Sequence, residues 1–272
     1  MQLTIQIVNY RSRHYLKECL FSILENLPAD LDVEIIVVNN DENEIAPSLP
    51  DFGPRITLRV IEMKRNIGFG RAHNTAFQNS SGEYVLFLNP DAKILPGFFE
   101  EIINVFLSDE KIGIASPFLI DAAGKIQAGN FGEKRTPLST IFGKILSFPE
   151  DIFQEENIFE ADWVSGGAMC VRKNMFESLG GFDENFFMYF EDVDLCLRAK
   201  NAGYKIAVVP RARVFHAGGK SFESEREKKK YYYASQDYYH QKHFGPVWAA
   251  AMKILRLPLY VKNASFFFRK II

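Results

Sequence analysis

The chain has 272 residues, 47% of them hydrophobic and 24% charged, with a net charge of −2 at pH 7, a composition typical of a soluble globular protein with ample material for a core. A charge this close to neutral argues against general nucleic-acid binding, and no apolar run reaches the roughly 20 residues that span a bilayer. The three cysteines form no CxxC pair, which argues against a disulfide framework and a thiolate zinc site.

The first 120 residues alternate strand and helix patterns. Runs of β-branched and apolar residues predict strands at Leu3–Val8, Glu34–Val38, Ile56–Ile61 and Tyr84–Leu88. The spacing of apolar residues predicts helices at His14–Leu27 and Arg71–Gln78, and Pro96 is predicted to open a third helix through Ser108. This alternation predicts an α/β fold with a parallel sheet covered on both faces, which binds ligands beyond the carboxyl ends of its strands.

The second half of the chain is less regular. Residues 120–161 are predicted to form a loop-rich insertion, and a strand at Ala168–Arg172, a helix at Glu191–Lys200 and a strand at Ile206–Val209 follow it. A charged helix is predicted from Ser221 to His243. Residues 221–272 contain ten lysines and arginines against four acids, which predicts a basic helical appendage after a single domain, residues 1–220.

Several residues at the ends of the predicted strands, most of them polar, lie where a ligand of the sheet would bind. They are Val8, Asn9 and Tyr10 at the first strand, Asn39 at the second, and Asn66, Gly68 and Arg71 at the turn into the second helix. Backbone amides at the start of a helix, with an arginine beside them, suit a diphosphate. Asparagine and glycine are also the commonest turn residues, so each turn taken singly is more simply explained as an ordinary loop.

Two further residues near strand ends are candidate metal ligands. The fourth strand runs into Asn89, Pro90 and Asp91, and a carboxylate at this place suits Mg²⁺ or Mn²⁺, which fills its coordination shell with substrate phosphate oxygens. His216 follows the last predicted strand and could meet Asp91 across the crevice. The simpler alternatives are a turn aspartate after Asn-Pro and a structural histidine.

The segment from Gly180 to Arg198 carries a Gly-Gly turn, an aromatic run and the acidic pair Glu191 and Asp192 at the start of a helix. A carboxylate at the mouth of an apolar pocket could act as a general base. A helix N-terminus favours its ionised form whereas apolar surroundings favour the neutral acid, so the sequence leaves the pKa of Asp192 open. The alternative for Asp192 is a helix cap, and Asp194 is assigned to an i,i+4 pair with Arg198.

These motifs, taken in order over residues 3–245, resemble the family-2 glycosyltransferases of the GT-A fold. The segments that carry the resemblance are Ile7-Val8-Asn9-Tyr10, Val37-Val38-Asn39-Asn40, Asn66-Ile67-Gly68-Phe69-Gly70, Leu88-Asn89-Pro90-Asp91, Gly180-Gly181-Phe182-Asp183-Glu184 and Glu191-Asp192. The Asn-Pro-Asp motif and the tail from Tyr231 to Gly245 are similar to a rhamnosyltransferase subgroup. The resemblance implies a Rossmann-like, mostly parallel central sheet flanked by helices, with a donor half (about 1–118), an acceptor half (about 162–220) and a C-terminal helical appendage.

Residue by residue, the resemblance implies Asp192 as the general base and Asp91 and His216 as ligands of an Mg²⁺ or Mn²⁺ ion. It implies a nucleotide-sugar site made by Val8, Asn9, Tyr10, Asn39, Asn66, Gly68, Arg71 and Asn89. It implies an acceptor side made by Trp163, Gly166, Gly167, Asp183 and Glu191. Relatives commonly carry an acid at the position of Asn39, so an altered nucleotide preference is expected there.

The implied reaction is an inverting transfer of a sugar from a nucleotide to an acceptor hydroxyl. Asp192 would take the hydroxyl proton, the metal at Asp91 would neutralise the departing diphosphate, and the aromatic run 186–190 would keep water away. The favoured donor is dTDP-rhamnose, with a UDP-sugar as the alternative. The expected acceptor is a glycan or a lipid-linked saccharide of cell-surface polysaccharide synthesis.

The tail over residues 246–272 mixes large apolar residues with five basic ones and contains no acid. Such a segment suits the interface of a membrane, and the alternative is a terminal helix packed on the body or on a second subunit of a homodimer. Met1 leads directly into a strand pattern, so no signal peptide is expected. The expected location is therefore cytoplasmic, at the inner face of the cell membrane.

Three other classes of protein fit the sequence less well. A glycoside hydrolase places two carboxylates about 5–10 Å apart on either side of the scissile bond, whereas Glu191 and Asp192 are adjacent in sequence. A nucleotidyltransferase would carry a glycine-rich basic loop after the first strand, and Asn9-Tyr10-Arg11-Ser12 matches that poorly. A non-catalytic nucleotide-sugar-binding protein is expected to have lost Asp91, Asp192 or His216, and all three are present.

Overall fold

The computed structural model describes residues 2–45, 49, 56–142, 156–218 and 224–256. In its N-terminal half four parallel strands form, β1 (Gln2–Asn9), β2 (Asp32–Asn39), β3 (Ile56–Glu62) and β4 (Tyr84–Leu88). Helix α1 (Arg13–Asn26) connects β1 to β2, and α2 (Phe69–Phe77) connects β3 to β4. The strands lie in the order β3-β2-β1-β4, and Asn9 pairs with Asn39, so β1 and β2 end at the same level.

The sheet continues beyond β4 as a mixed sheet. The remaining elements are β5 (Ala92–Ile94), α3 (Phe98–Ser108), β6 (Ile112–Ile120), β7 (Phe131–Gly132), α4 (Pro137–Phe142), β8 (Phe159–Glu160), β9 (Trp163–Val164), β10 (Ala168–Arg172), α5 (Lys173–Ser178), α6 (Glu191–Asn201), β11 (Lys205–His216), α7 (Glu225–Phe244) and α8 (246–256). The order runs β4-β10-β6-β11-β5, and β8 also pairs with β11. Strands β1 to β4, β6 and β11 share one direction, whereas β5, β8 and β10 oppose it. The predicted α/β fold with a mostly parallel central sheet is confirmed.

Helices cover both faces of the sheet, because each strand presents alternate residues to opposite sides. Leu86 of β4 belongs to a core that α1 and α3 complete, and its neighbour Phe87 belongs to a second core completed by α5, α6 and α7. Helix α2 packs Ala72 and Ala76 on the end of β2. The loops that connect these layers therefore meet at the carboxyl ends of β1, β2 and β4.

Several predicted boundaries differ from the structure. Strand β6 is absent from the sequence prediction because Gly113 and Pro117 break its pattern, yet the Tyr204 ring occupies the space beside Gly113 and requires a residue without a side chain. Helix α3 begins at Phe98 and not at Pro96, because Gly97 adopts a left-handed φ of 83°. The predicted loop-rich insertion contains β7, α4 and β8, and its residues 143–155 lie outside the described residues.

Strand β11 is longer than the four residues predicted for it. It continues along β6 through a register shift between Val209 and Arg213 and ends at His216. A β-bulge of this kind lets a strand bend while it stays paired. His216 is thus the last residue of a strand and pairs with Ala92 of β5, directly after Asp91.

The C-terminal appendage begins with α7, which the Ser224 side chain caps by accepting from the Glu227 N–H. Helix α8 buries Ala249, Met252 and Arg256, and the Arg256 guanidinium pairs with Asp237 of α7. Its opposite face exposes large apolar side chains, with exposed fractions of 79% for Val247, 40% for Trp248, 64% for Ile254 and 52% for Leu255. None of the helices described here combines the length and hydropathy that a bilayer span requires.

Candidate active site

A cavity of about 680 Å³ lies at the carboxyl ends of the strands. Its lining combines the ends of β1, β4 and β11, the turn before α2, the segment 165–167, the aromatic run before α6 and the first turns of α7. Of the residues predicted for the site, it contains Val8, Tyr10, Asn66, Gly68, Asn89, Asp91, Gly166, Gly167, Glu191, Asp192 and His216. The predicted residues Asn9, Asn39, Arg71, Trp163 and Asp183 are not part of this lining.

Asp91 and His216 lie together on the floor of the cavity. The His216 Nε2 atom is 3.3 Å from Asp91 Oδ1 and 3.1 Å from Asn89 Nδ2, and the two side chains are only 11% and 10% exposed. The other ring nitrogen, Nδ1, is 2.8 Å from Gln127 Oε1. The Gln127 amide nitrogen donates to the His216 backbone carbonyl, which orients the amide so that its oxygen must accept from Nδ1–H. In the neutral ring, Nε2 therefore carries a lone pair, which accepts from the Asn89 amide N–H at 3.1 Å.

This pair fits a divalent cation. Two ligands about 2.1 Å from an octahedral Mg²⁺ and adjacent in its shell are roughly 3 Å apart, close to the observed separation of Oδ1 and Nε2. Within the described ranges no group of three His, Cys, Asp or Glu side chains could hold a metal ion alone. Asp91 and His216 would thus need other oxygen ligands, such as those of a phosphate, to complete a coordination shell.

Asp192 lies at the N-terminus of α6 beside the same cavity. Its Oδ2 accepts from the Gly166 N–H at 2.9 Å and its Oδ1 from the Val193 N–H at 2.8 Å. Burial raises the pKa of the Asp192 carboxyl above its usual range, although these backbone donors and the charge of Arg135 oppose the rise. The structure thus decides between the two opposed effects, and burial is the larger.

Glu191 is the neighbouring acid and lies deeper, with 4% exposure. Its Oε2 atom is buried and makes no hydrogen bond to the described residues. Burial first, and then the charge of Asp192, raise the pKa of Glu191 well above its usual range. The two adjacent acids therefore titrate as a pair, and burial without a hydrogen bond to Oε2 favours the neutral acid at Glu191.

Asp194 and Asp183 face away from the cavity and hold α7 on the body. The i,i+4 pair forms between the Arg198 Nε and Asp194 Oδ2 atoms at 2.7 Å, and Lys242 and His243 of α7 donate to Asp194 Oδ1 at 2.6 and 2.7 Å. Lys242 also contacts Asp183 at 2.7 Å, and the Tyr238 hydroxyl donates to that carboxylate. These contacts use the carboxylate of Asp183 in a helix-to-body contact and not in the lining where the sequence placed it.

The two asparagines at the ends of β1 and β2 form a buried network behind the cavity. The Asn9 amide donates to Asn39 at 2.8 Å, and the Asn39 amide donates to the Glu62 carboxylate at 2.5 Å and to the Asn43 carbonyl. Both asparagines are completely buried. The next residue, Asn40, lines the cavity instead and donates to the Gly68 carbonyl at 3.1 Å. The sequence signal for Asn40 was present, since it follows Asn39 at the same strand end.

The turn before α2 is shaped by a close backbone approach. Gly68 has φ 94° and ψ 168°, and a Cβ at this position would lie 2.7 Å from the Phe187 carbonyl oxygen, which accepts from the Phe69 N–H. This bond joins the N-terminus of α2 to the aromatic run. Arg71, predicted to contact a diphosphate, instead pairs with Glu184 at 2.8 Å and is half exposed.

The predicted acceptor residues Trp163, Gly166 and Gly167 line two different cavities. Gly166 and Gly167 line the cavity beside Asp192 and Asn89, and a Cβ at either position would crowd the Phe69 ring or the Leu119 side chain, at 3.2 and 3.1 Å. Trp163 lies in β9, where its indole N–H donates to the Glu133 carbonyl and the Arg135 guanidinium covers the ring at 4.6 Å. It lines a second cavity of about 320 Å³. Trp163 therefore faces away from the cavity that holds Asp192.

Several lining residues were absent from the sequence-derived site. They are Asn40, Phe69, Pro90, Leu119, Gln127, Ala128, Gly129, Asn130, Ser165, Glu227, Lys228 and Tyr231. Most come from the hairpin after β6 and from α7, which tertiary packing alone brings to the strand ends. The run Phe187, Met188 and Tyr189 lines the cavity as the predicted apolar wall.

Two solved structures share this architecture. The chain superimposes on GalNAc-T7 with UDP, GalNAc and Mn²⁺ at a TM-score of 0.65 and 15% identity, over 94% of this chain and 54% of that one. It superimposes on the mannosyltransferase PcManGT from Pyrobaculum calidifontis, in complex with GDP-Man and Mn²⁺, at a TM-score of 0.58 and 18% identity, over 99% and 80% of the two chains. The similarity shows a shared fold, that of the GT-A glycosyltransferases.

Three curated relatives are similar in sequence. The hexosyltransferase Agl10 of low-salt glycan biosynthesis in Haloferax volcanii is 28% identical over 208 residues, or 75% of this chain and 63% of that protein. The N-acetylglucosaminyl-diphospho-decaprenol L-rhamnosyltransferase of Mycobacterium tuberculosis is 26% identical over 238 residues (79% and 75%), and rhamnosyltransferase WbbL of Escherichia coli K12 is 27% identical over 226 residues (78% and 82%).

The chain thus spans somewhat less than two thirds of the Haloferax volcanii protein and three quarters or more of the other two. A family model adds a match that depends on no single relative. The model described as "Glycosyltransferase like family 2" matches residues 2–234, which includes every residue that lines the 680 Å³ cavity. The chain belongs to family 2 of the glycosyltransferases and is an enzyme of that class.

Proposed function

We propose that the protein is an inverting, metal-dependent transferase that moves a sugar, with L-rhamnose from dTDP-rhamnose favoured, onto a glycan or a lipid-linked saccharide during cell-surface polysaccharide synthesis. The observation that carries this proposal is the common cavity of Asp192 and the Asp91–His216 pair. The Asp192 carboxylate is held by two backbone N–H groups and suits a base, whereas the Asp91 carboxylate lies beside an imidazole and suits a metal.

Asp192 is the general base of the proposed reaction. Its carboxylate accepts the proton of an acceptor hydroxyl as that oxygen attacks the anomeric carbon and the bond to the diphosphate breaks. The Gly166 and Val193 N–H groups hold the carboxylate in place, and burial disfavours a second negative charge on the neighbouring Glu191. The apolar side chains of Phe187 and Met188 limit the access of water.

Asp91 Oδ1 and His216 Nε2 would hold Mg²⁺ or Mn²⁺, with the ring of His216 oriented by Gln127. A divalent cation bound there supplies neutralisation of the charge on the departing diphosphate. The residues proposed to contact the donor are Val8, Tyr10, Asn66, Gly68 and Asn89. Asn9 and Asn39 support this region from behind through their hydrogen bonds with each other and with Glu62.

The names of the relatives support the choice of donor and acceptor. Two of the three proteins compared above are rhamnosyltransferases, and the one from Mycobacterium tuberculosis is named for a saccharide on a diphospho-lipid. Another relative, from Shigella flexneri, is named a dTDP-rhamnosyl transferase and is 24% identical over 189 residues. A lipid-linked acceptor would bring the reaction to a membrane surface.

The exposed face of α8 is the proposed membrane contact. Val247, Ile254 and Leu255 are more than half exposed, and Lys253 on the same helix is exposed as well. Apolar side chains among basic ones suit an anionic lipid interface. The full chain is expected to float with phosphatidylglycerol vesicles in a density gradient. A variant with Val247→Ser, Ile254→Ser and Leu255→Ser is expected to stay at the bottom of the gradient. Equal flotation of the two proteins would contradict membrane contact through α8.

A panel of nucleotide sugars tests the main proposal. Slow hydrolysis of dTDP-rhamnose, UDP-sugars and GDP-mannose is measured with Mn²⁺, with Mg²⁺ and with chelator, for the wild type and for Asp91→Ala. We expect metal-dependent turnover of dTDP-rhamnose that Asp91→Ala abolishes together with Mn²⁺-dependent donor binding in calorimetry. Turnover of a UDP-sugar and not of dTDP-rhamnose would show that the donor is a UDP-sugar. Metal-independent turnover would contradict the assignment of Asp91 and His216 as metal ligands.

A further inference from the structure

The charged side chains that line the cavity are unevenly distributed in sign. Among the described residues four carboxyl groups line it, those of Asp91, Glu191, Asp192 and Glu227, and Lys228 is the single lysine or arginine. Such a lining repels an anion unless cations compensate for it. A nucleoside diphosphate carries about two to three negative charges. The positive charge of Lys228 is therefore the one in this lining that would attract it.

Packing of α7 directs Lys228 to the cavity. Tyr231, three residues on, stacks on Phe187 with ring centroids 4.8 Å apart and an interplanar angle of 23°. Ser235, seven residues on, donates from its hydroxyl to the Met188 carbonyl at 2.7 Å. Residues three and seven positions apart lie on one face of a helix. This face of α7 therefore rests on the aromatic wall of the cavity, with Lys228 at its N-terminal end.

No contact among the described residues explains the position of the Lys228 ammonium. Within the part of the chain that the structure describes, its ammonium makes no ion pair and no hydrogen bond to another side chain, although it is partly buried. The lysines of α7 and α8 that do make such contacts are paired, Lys242 with Asp183 and Asp194, and Lys253 with Asp237. Lys229 and Lys230, which follow directly, are exposed and do not line the cavity.

We propose that Lys228 binds the diphosphate of the nucleotide-sugar donor. The inference rests on the proposed function, because it assumes a nucleoside diphosphate in the cavity that holds Asp91 and His216. An ammonium on a flexible stem binds phosphate as a point charge and loses little when the oxygens shift, which suits a group whose charge grows as the glycosidic bond breaks. Lys228 thus contributes from α7 a positive charge that the sheet does not provide.

The test compares neighbouring lysines in the full chain. Binding of dTDP, UDP, dTMP and thymidine is measured by calorimetry with Mn²⁺ present, for the wild type and for Lys228→Ala, Lys228→Arg, Lys229→Ala and Lys230→Ala. Loss of a charge-assisted contact is expected to weaken binding of the diphosphate about 10-fold or more in Lys228→Ala, with a smaller effect on dTMP and none on thymidine. Lys228→Arg is expected to recover most of the affinity, and both neighbouring variants to stay within about twofold of the wild type.

The outcomes separate this inference from the proposed function. If the wild type binds neither dTDP nor UDP, the nucleotide-dependent reaction itself fails. If the wild type binds one of them and Lys228→Ala binds it equally well, or Lys229→Ala loses as much, only the assignment of Lys228 is overturned. A lipid-linked acceptor would also carry a diphosphate, so binding of a prenyl diphosphate is measured without nucleotide. An effect of Lys228→Ala on that ligand alone would place Lys228 on the acceptor and contradict the proposal.

Discussion

Gln127 clamps His216 with both atoms of its amide. The amide nitrogen donates to the backbone carbonyl of His216 while the amide oxygen faces the ring Nδ1 at 2.8 Å, so a single side chain sets both the position and the tautomer of the imidazole. The clamp comes from the hairpin after β6, where the Gln127 N–H donates to the Leu119 carbonyl at 2.8 Å. Partners of this kind commonly orient a histidine that binds a metal.

Removal of the clamp is expected to weaken metal binding. Gln127→Ala should lower the Mn²⁺ affinity about 10- to 100-fold, whereas Gln127→Glu, which keeps an acceptor for Nδ1–H, should lose much less. The control is Lys125→Ala, an exposed position in the same hairpin. The ¹⁵N NMR signals of His216 in the metal-free protein give an independent measurement. They should show an unprotonated Nε2 in the wild type and mixed tautomers in Gln127→Ala; identical signals in both would show that the clamp does not select the tautomer.

Replacement by the matching amide is expected to reduce kcat much more at Asp192 than at Glu191. Asp192→Asn should keep donor binding and reduce kcat at least about 100-fold, because a general base contributes that much. Glu191→Gln should stay within about 10-fold of the wild type, because an amide has the shape of the protonated acid that burial favours at this position. Single-turnover kinetics together with donor calorimetry make the comparison. Equal losses in the two variants would contradict the assignment of the base to Asp192 alone.

The raised pKa of Asp192 predicts a pH profile. Because the base must be ionised, kcat/KM should fall as the pH decreases through an apparent pKa above the usual range of an aspartate, which is about 3.9 in model peptides. The adjacent acids titrate as a pair, so the profile reports a value for both together. A profile that stays flat down to pH 4, in a protein that circular dichroism shows to be folded there, would contradict the burial of this carboxylate.

Gly68 is expected to be much less tolerant of alanine than Gly97. Both have positive φ, but a Cβ at Gly68 would lie 2.7 Å from the Phe187 carbonyl oxygen whereas nothing lies within 4 Å of one at Gly97. Alanine in the left-handed region of Gly97, with ψ −5°, costs about 1–2 kcal/mol. Gly68, with ψ 168°, lies in a region that is essentially restricted to glycine, so its backbone cost is added to the close contact. Gly68→Ala should destabilise the protein by a further 1 kcal/mol or more, on the order of other strained backbone sites, in urea denaturation. Equal destabilisation would mean that the α2 turn adjusts freely.

The lowered pKa of Asp183 predicts that the protein loses stability in acid. Hydrogen bonds from Lys242, Asn185 and Tyr238 outweigh its burial and lower the pKa of Asp183 to about 2. A lowered pKa in the folded state stabilises the protein above the unfolded value of about 3.9, and this contribution is lost as the pH falls towards 2. Asp183→Asn should therefore be less stable than the wild type at pH 7, and the difference should shrink between about pH 5 and pH 2. A constant difference across that range would contradict the lowered pKa.

The parallel half of the molecule could be predicted from sequence because its information is local. The apolar runs at β1, β2 and β4 and the helix spacing in α1 are properties of neighbouring residues, and the structure confirms them within two residues at each end. The motif residues Asn89, Asp91, Asp192 and His216 are likewise short-range signals at strand and helix ends. Strand β6 was missed because its Gly113 and Pro117 suit a strand only where a neighbouring ring and a β-bulge accommodate them.

The amino-acid sequence by itself determined the fold class, the strand ends that carry polar residues, and the two acids at the start of α6. Tertiary packing alone decided which of these meet. It buried Asn39 against Glu62, and it paired Arg71 with Glu184 and Asp183 with Lys242. It also brought to the cavity Gln127, which lies 89 residues before His216, and Lys228, which lies 36 residues after Asp192. The physical reason is that burial, hydrogen-bond partners and charge compensation depend on residues that are distant along the chain and adjacent only after folding.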